Sequence, residues 1–172
     1  KTKEQLLLET LQTVSQEYEA AVDKAFESSS DPVETLKALV DAMLDPQLCT
    51  PARAAVWYAF MGESQARADY SGAVRVRELA IRQRIEGLFT DLFSEADASV
   101  SKRSHAIPLA RALDALIDSI WEQSLMEPDM LDLDHARKIC LDYLASVLPE
   151  GLDTSIGTPY RKPASISNDI SE

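Results

Sequence analysis

The chain has 172 residues, of which 29 are acidic and 17 basic, and its formal net charge of −12 makes these residues a poor DNA or RNA binder by charge alone. The length fits one domain or at most two small ones, and the 45% hydrophobic share is ordinary for a soluble globular protein. No apolar run reaches the length of a membrane span and no signal peptide opens the sequence, so the expected setting is the cytoplasm.

Five glycines are few, and alternating runs of Val, Ile and Thr are absent, which points to an all-α protein. Thr2 to Gln5 reads as a capping box. A helical stripe of Leu7, Leu11, Val14, Tyr18, Val22 and Ala25 then runs to about Phe26. After the Ser28–Ser30 loop, Asp31 is placed to cap a second helix with Pro32 in its first turn, and Val33, Leu36, Leu39, Val40 and Met43 form its apolar face. Asp45–Pro46 ends it. Thr50–Pro51 repeats the start signal for a helix from Ala52 to about Ala68, which holds the densest aromatic cluster, Trp57 to Met61. Ser71–Gly72 is read as a break before a long helix from Ala73 to about Ala96, with Val74, Ile81, Ile85, Leu88, Leu92 and Phe93 inward. Its Arg75, Arg77, Arg82 and Arg84 lie against Glu78 and Glu86, and a solvated face is the expected fate of that basic patch. Ser94 to Ser104 is read as a polar loop.

The best-patterned helix follows, from about His105 to Met126, with Pro108 in its first turn and Pro128 closing it. Leu109, Leu113, Leu116, Ile117 and Ile120 line a bulky face, while Ala112, Ala115 and Ser119 line a neighbouring face of small side chains. Small side chains let another helix come close. Two copies of that face, beside Tyr143 and Val147 of the last helix, would form a four-helix interface in a two-fold homodimer. Asp134 is placed to cap the last helix, where Ile139, Cys140, Tyr143, Leu144 and Val147 face inward and Pro149 and Gly151 stop it. The tail, 152–172, is rich in Ser, Pro and Asp and reads as irregular. The count is six helices, no strands and no repeat.

Catalytic chemistry is hard to find. The two histidines, His105 and His135, each open a helix and read as surface or capping residues. No His/Cys/Glu spacing suits a metal, no glycine-rich phosphate loop occurs, and Cys49 and Cys140 read as separate reduced thiols. No catalytic residue, metal or cofactor is assigned. What remains is aromatic: Trp57, Phe60, Met61 and Ser64 share one helix face, and Trp121 lies on another helix. Core packing is the ordinary reading of such a stripe. The functional one is a pocket wall, with Asp118, Glu63 or Glu122 as the carboxylate that a cation would need.

Several stretches match a known family. A-L-I-D-S-I-W (Ala115 to Trp121) resembles the A-L-I-D-G-L-W signature in the penultimate helix of BetI-like TetR-family repressors. A-V-W-Y-A-F-M-G-E (Ala55 to Glu63) resembles their W-x-A-F-W stretch, K-T-K-E-Q-L-L-L (Lys1 to Leu8) resembles the passage into their ligand-binding core, and L-P-E-G (Leu148 to Gly151) sits where their last helix ends. Ser119 stands in place of the signature glycine, and Met61 where a second tryptophan often sits. The resemblance covers residues 1–151 and implies a six-helix TetR-type ligand-binding core that dimerises through its last two helices. It implies a small-molecule effector, choline or another quaternary ammonium. It also implies operator DNA contacted only through an N-terminal helix-turn-helix head of roughly 45 residues, expected to lie outside this chain. Two rivals stay open: a ligand-free helical adaptor, with a filled interior around Trp57 and Trp121, and a small helical enzyme, with a histidine joined to a cysteine or carboxylate in a cleft.

Overall fold

The computed structural model describes residues 3–66, 68–95 and 104–148, and within them the chain forms six α-helices, a short 3-10 turn and no strand. The helices are α1 (Lys3–Phe26), α2 (Pro32–Met43), α3 (Pro51–Ala66), α4 (Ala68–Glu95), α5 (Ala106–Met126) and α6 (Leu133–Val147). The Thr2 capping signal, the 96–103 part of the polar loop and the 152–172 tail lie outside the described residues.

Local chemistry sets the corners. The Asp31 side chain accepts a hydrogen bond from the Val33 amide at 2.8 Å, and Pro32 occupies the first position of α2, where its missing N–H costs nothing. At α6 the cap is Asp132, not Asp134: its carboxylate accepts from the His135 amide at 3.1 Å, and Asp134 falls in the first turn, where it still suits the helix dipole. Ser71 and Gly72 also differ from expectation, because α4 begins at Ala68 and runs through both. A glycine in a helix costs only about 1 kcal/mol relative to alanine, which a 28-residue helix rich in Ala, Arg, Glu and Leu absorbs.

α5 is the centre of the bundle. It packs on α3, α4 and α6, while α1 packs on α2 and α3 and α2 on α4 and α6. The main core gathers Val22 of α1, Leu36, Leu39 and Val40 of α2, Leu113 and Ile117 of α5, and Cys140 and Leu144 of α6. α4 contributes Ile85, Phe89 and Phe93 at four-residue spacing, and Phe89, which the sequence pattern did not single out, is fully buried. Ile139 is the reverse case, expected inward but 42% exposed. In the basic patch of α4 the side chains of Arg75 and Arg77 lie outside the described residues, and the other two arginines do more than face solvent. Arg84 pairs with Asp23 at 2.5 Å and lies 3.7 Å over the Phe26 ring, which pins α4 to α1. Arg82 reaches Asp114 of α5 at 2.8 Å.

Because Phe89 has no exposed surface and touches the heart of the core, Phe89→Ala should lose about 3–5 kcal/mol in urea unfolding. Met126→Ala, at a position 71% exposed, should stay within about 0.5 kcal/mol of the parent.

Candidate functional site

Between α1, α3, α4 and α5 lies a cavity of about 110 Å³, with Met43 at the end of α2 against one side. Each helix presents one face to it. Val14, Ser15, Tyr18 and Glu19 come from α1; Glu78, Ile81 and Arg82 from α4; Asp114, Ile117, Asp118 and Trp121 from α5, all at spacings that put side chains on one side of a helix. Trp57 and Tyr58 come from α3. The volume corresponds to roughly ten water-sized spheres, enough for a small organic molecule.

The aromatic wall is held in place by hydrogen bonds. The Trp121 indole N–H donates to the Met43 carbonyl at 3.0 Å, satisfying a carbonyl at the C-terminus of α2. The Tyr18 ring meets Trp121 edge to face, with centroids 5.8 Å apart and planes at 89°. Tyr58 Oη donates to the Asp118 carbonyl at 3.3 Å, tying α3 to α5.

The field inside is negative. Burial pushes the Tyr18 phenol far up, and Asp114, Asp118 and Glu78 push it further. Tyr58 is raised by burial, then by Asp118 and Glu122. Partial loss of water also raises the Asp118 carboxyl, Asp114 one turn away raises it further, and Arg82 pulls it back. Asp114 is paired with Arg82, whereas among the described residues no side chain makes an ion pair with Asp118. The site is therefore a partly desolvated, aromatic, net anionic cavity in which the Asp118 carboxylate stays exposed and available, and its chemistry suits a small organic cation.

Of the residues singled out in the sequence, Trp57, Asp118 and Trp121 meet at this cavity. Phe60 is buried, 3% exposed, and Met61 is 37% exposed; neither is in the cavity wall. A helix face drawn through Trp57, Phe60 and Met61 is centred too far round α3, since the side chain beside Trp57 in the wall is Tyr58. The side chains of Glu63 and Ser64 lie outside the described residues. Tyr18, Ser15 and the Arg82–Asp114 pair were not expected there; Tyr18 was read as core, and nothing in a single sequence marks an ion pair between residues 32 positions apart. Ala112 is half-buried, Ala115 and Ser119 are exposed, and Tyr143 and Val147 pack against the core with the Tyr143 hydroxyl donating to the Leu109 carbonyl at 2.7 Å. Cys49 and Cys140 are both buried; burial raises both thiols, Cys140 to about 11, which keeps them un-ionised at neutral pH. Among the described residues no group of three His, Cys, Asp or Glu side chains could hold a metal, and no helix is long and apolar enough to cross a membrane.

A solved protein of Pseudomonas aeruginosa PAO1, assigned as a transcriptional regulator, shares the fold with a TM-score of 0.63 at 22% identity, over 82% of this chain and 65% of that one. The family described as BetI-type transcriptional repressor, C-terminal, matches residues 32–149, and the chain belongs to that family. It is 25% identical over 130 residues to the HTH-type transcriptional regulator BetI 1 of Chromohalobacter salexigens, covering 76% of this chain and 60% of that protein. It is 27% identical over 145 residues to the HTH-type transcriptional regulator BetI of Ectopseudomonas mendocina, covering 83% of this chain and 69% of that protein.

Asp118 gives the site a pH signature. Its raised pKa means that the folded protein binds more protons than the unfolded chain, so its contribution to stability falls as pH rises from the ordinary value of 3.8 through the raised one. Asp118→Asn should therefore raise the melting temperature of the ligand-free protein at pH 7, and the gain should vanish below pH 3.8. A melting curve lowered at pH 7 would mean that the carboxylate supports the fold.

Proposed function

We propose that this chain is the effector-binding and dimerisation domain of a repressor, and that its cavity takes a small organic cation, with a quaternary ammonium such as choline the first to test. The observation that carries this reading is the meeting of four aromatic rings, Tyr18, Trp57, Tyr58 and Trp121, with the Asp118 carboxylate in one enclosure. A desolvated cation gains about 1–2 kcal/mol from each aromatic face it meets, so two or three suffice for micromolar to millimolar binding. The open interior between Trp57 and Trp121 is also what the adaptor reading would lack.

The relatives are HTH-type regulators by name, and this protein would contact its operator through such a head rather than through these acidic residues. The effector would favour one relative placement of two subunits, and with it one spacing of the two heads on DNA. The dimer surface would be the outer side of α5 and α6. There Ala115 and Ser119 are exposed, beside Ile107 of α5 and Ile139 of α6, which are 49% and 42% exposed. Exposed large aliphatics beside small side chains are what a self-complementary helix pair requires.

Calorimetry should give a choline affinity at pH 7 that is at least about tenfold above that for its neutral carbon isostere, 3,3-dimethylbutan-1-ol. Trp57→Leu should weaken choline about tenfold or less, by loss of one aromatic face. Affinity should also fall on acidification as Asp118 takes up its proton, because a neutral carboxyl no longer attracts the cation. Equal heats for choline and the isostere would end the cation reading.

Sedimentation should show a dimer at micromolar concentration. Ala115→Arg and Ile139→Asp should each shift it to monomer with unchanged helical circular dichroism, because both positions are exposed in the subunit. A monomer for the unmodified protein would remove the dimer.

A further inference from the structure

Ser15 is 7% exposed, lines the cavity, and its Oγ has no hydrogen-bond partner. That is unusual for a buried hydroxyl, and more so for one on a helix. On the same helix, Thr10 and Thr13 turn their hydroxyls onto the carbonyls of Leu6 and Glu9, four residues back, at 2.9 and 3.0 Å. This is the ordinary outlet for a helical hydroxyl. Ser15 does not take it. One turn further on, Tyr18 faces the same cavity, and among the described residues its hydroxyl makes no hydrogen bond either. The ring of Tyr18 is fixed by its edge-to-face contact with Trp121, so only the hydroxyl rotor is free to adapt. Burial, and then the negative field, keep this phenol protonated, and therefore a donor, across the physiological range.

We propose that Ser15 and Tyr18 form a hydrogen-bonding subsite on α1 that selects cations carrying a hydroxyl, ether or carbonyl oxygen, amino alcohols and their esters among them, over simple alkylammonium ions. The proposal rests on the reading of the cavity as a cation site and adds a second point of recognition to it. Asp118 and the rings attract the charge, which any alkylammonium offers. The two α1 hydroxyls attract an oxygen, which only some cations carry, and a ligand without one would leave the buried Ser15 hydroxyl unpaired.

The test uses the full chain with choline and with ethyltrimethylammonium, which has the same charged head and no hydroxyl, each titrated by calorimetry. Choline should bind about fivefold more tightly, the effect of one or two neutral hydrogen bonds. Ser15→Ala should cut that preference to about twofold, and with Tyr18→Phe added, which keeps the ring against Trp121, the preference should disappear. Ethyltrimethylammonium should bind all three proteins alike. The melting temperature gives a readout of its own: Ser15→Ala should leave it unchanged or raise it, since the hydroxyl supports no contact of the fold. Equal affinity of the parent for the two cations overturns the subsite while leaving the cation reading intact. A preference that survives both substitutions, or a melting temperature lowered by Ser15→Ala, also overturns it. Tighter binding of 3,3-dimethylbutan-1-ol than of ethyltrimethylammonium supports the hydroxyl subsite and defeats the cation reading. Absence of binding by all three compounds defeats both.

Discussion

The Trp121 indole joins the two halves of the interior. Its N–H satisfies the Met43 carbonyl at the end of α2, its ring holds the edge of Tyr18 on α1, and it packs on the core as well as walling the cavity. A helix C-terminus leaves carbonyls without partners inside the helix, and here a tryptophan on another helix supplies one of the missing donors. The turn between α2 and α3 is anchored by this bond, and α3 in turn contributes Trp57 and Tyr58 to the cavity wall. Loss of the indole would release α2, Tyr18 and the cavity together.

Two different balances operate on either side of that residue. Around Leu36, Leu113, Phe89 and Leu144 the interior is apolar and closed, and it supplies the stability. Around Tyr18 and Asp118 it is open, anionic and partly dry, which works against stability. Partial burial raises the Asp118 carboxyl and the neighbouring Asp114 raises it further, so its charge is held at a cost. The Arg82–Asp114 bridge offsets it for one carboxylate and leaves the other available. An arrangement that a stable core alone would not need is the expected mark of a site kept for binding. The proposed cation would relieve the strain on entry, so that binding and stabilisation would be one event.

Much of this was legible in the sequence, for reasons that can be named. The stripes of α2 and α5 repeat every three to four residues with bulky aliphatics, so Leu36, Leu39, Val40, Leu113, Ile117 and Ile120 could be placed in the core directly. Asp31–Pro32 is a local signal with a local cause. The failures are those of position and distance. A Ser–Gly pair marks a break only when nothing stronger continues the helix, and in α4 the helix continues. Two aspartates two residues apart can each cap α6, and backbone geometry chose Asp132. α3 has weak sidedness, so the face through Phe60 and Met61 was drawn about one side chain away from the wall that Trp57 and Tyr58 share. Tyr18 fits a core stripe and a cavity wall equally well until α4 and α5 are placed around it. Trp121 stands out in the sequence by elimination, as an aromatic on a second helix once catalytic chemistry is set aside, and the family motif covers it as well.

The proposed cation would sit against Trp57 and Trp121. The chain has only two tryptophans, so a 15N-labelled sample gives two indole N–H signals, one of them from the group bonded to Met43. Titration with choline should move both signals along one binding curve, with the apparent affinity found by calorimetry. Indole signals that stay fixed through saturating choline, or that move on two unrelated curves, would contradict it.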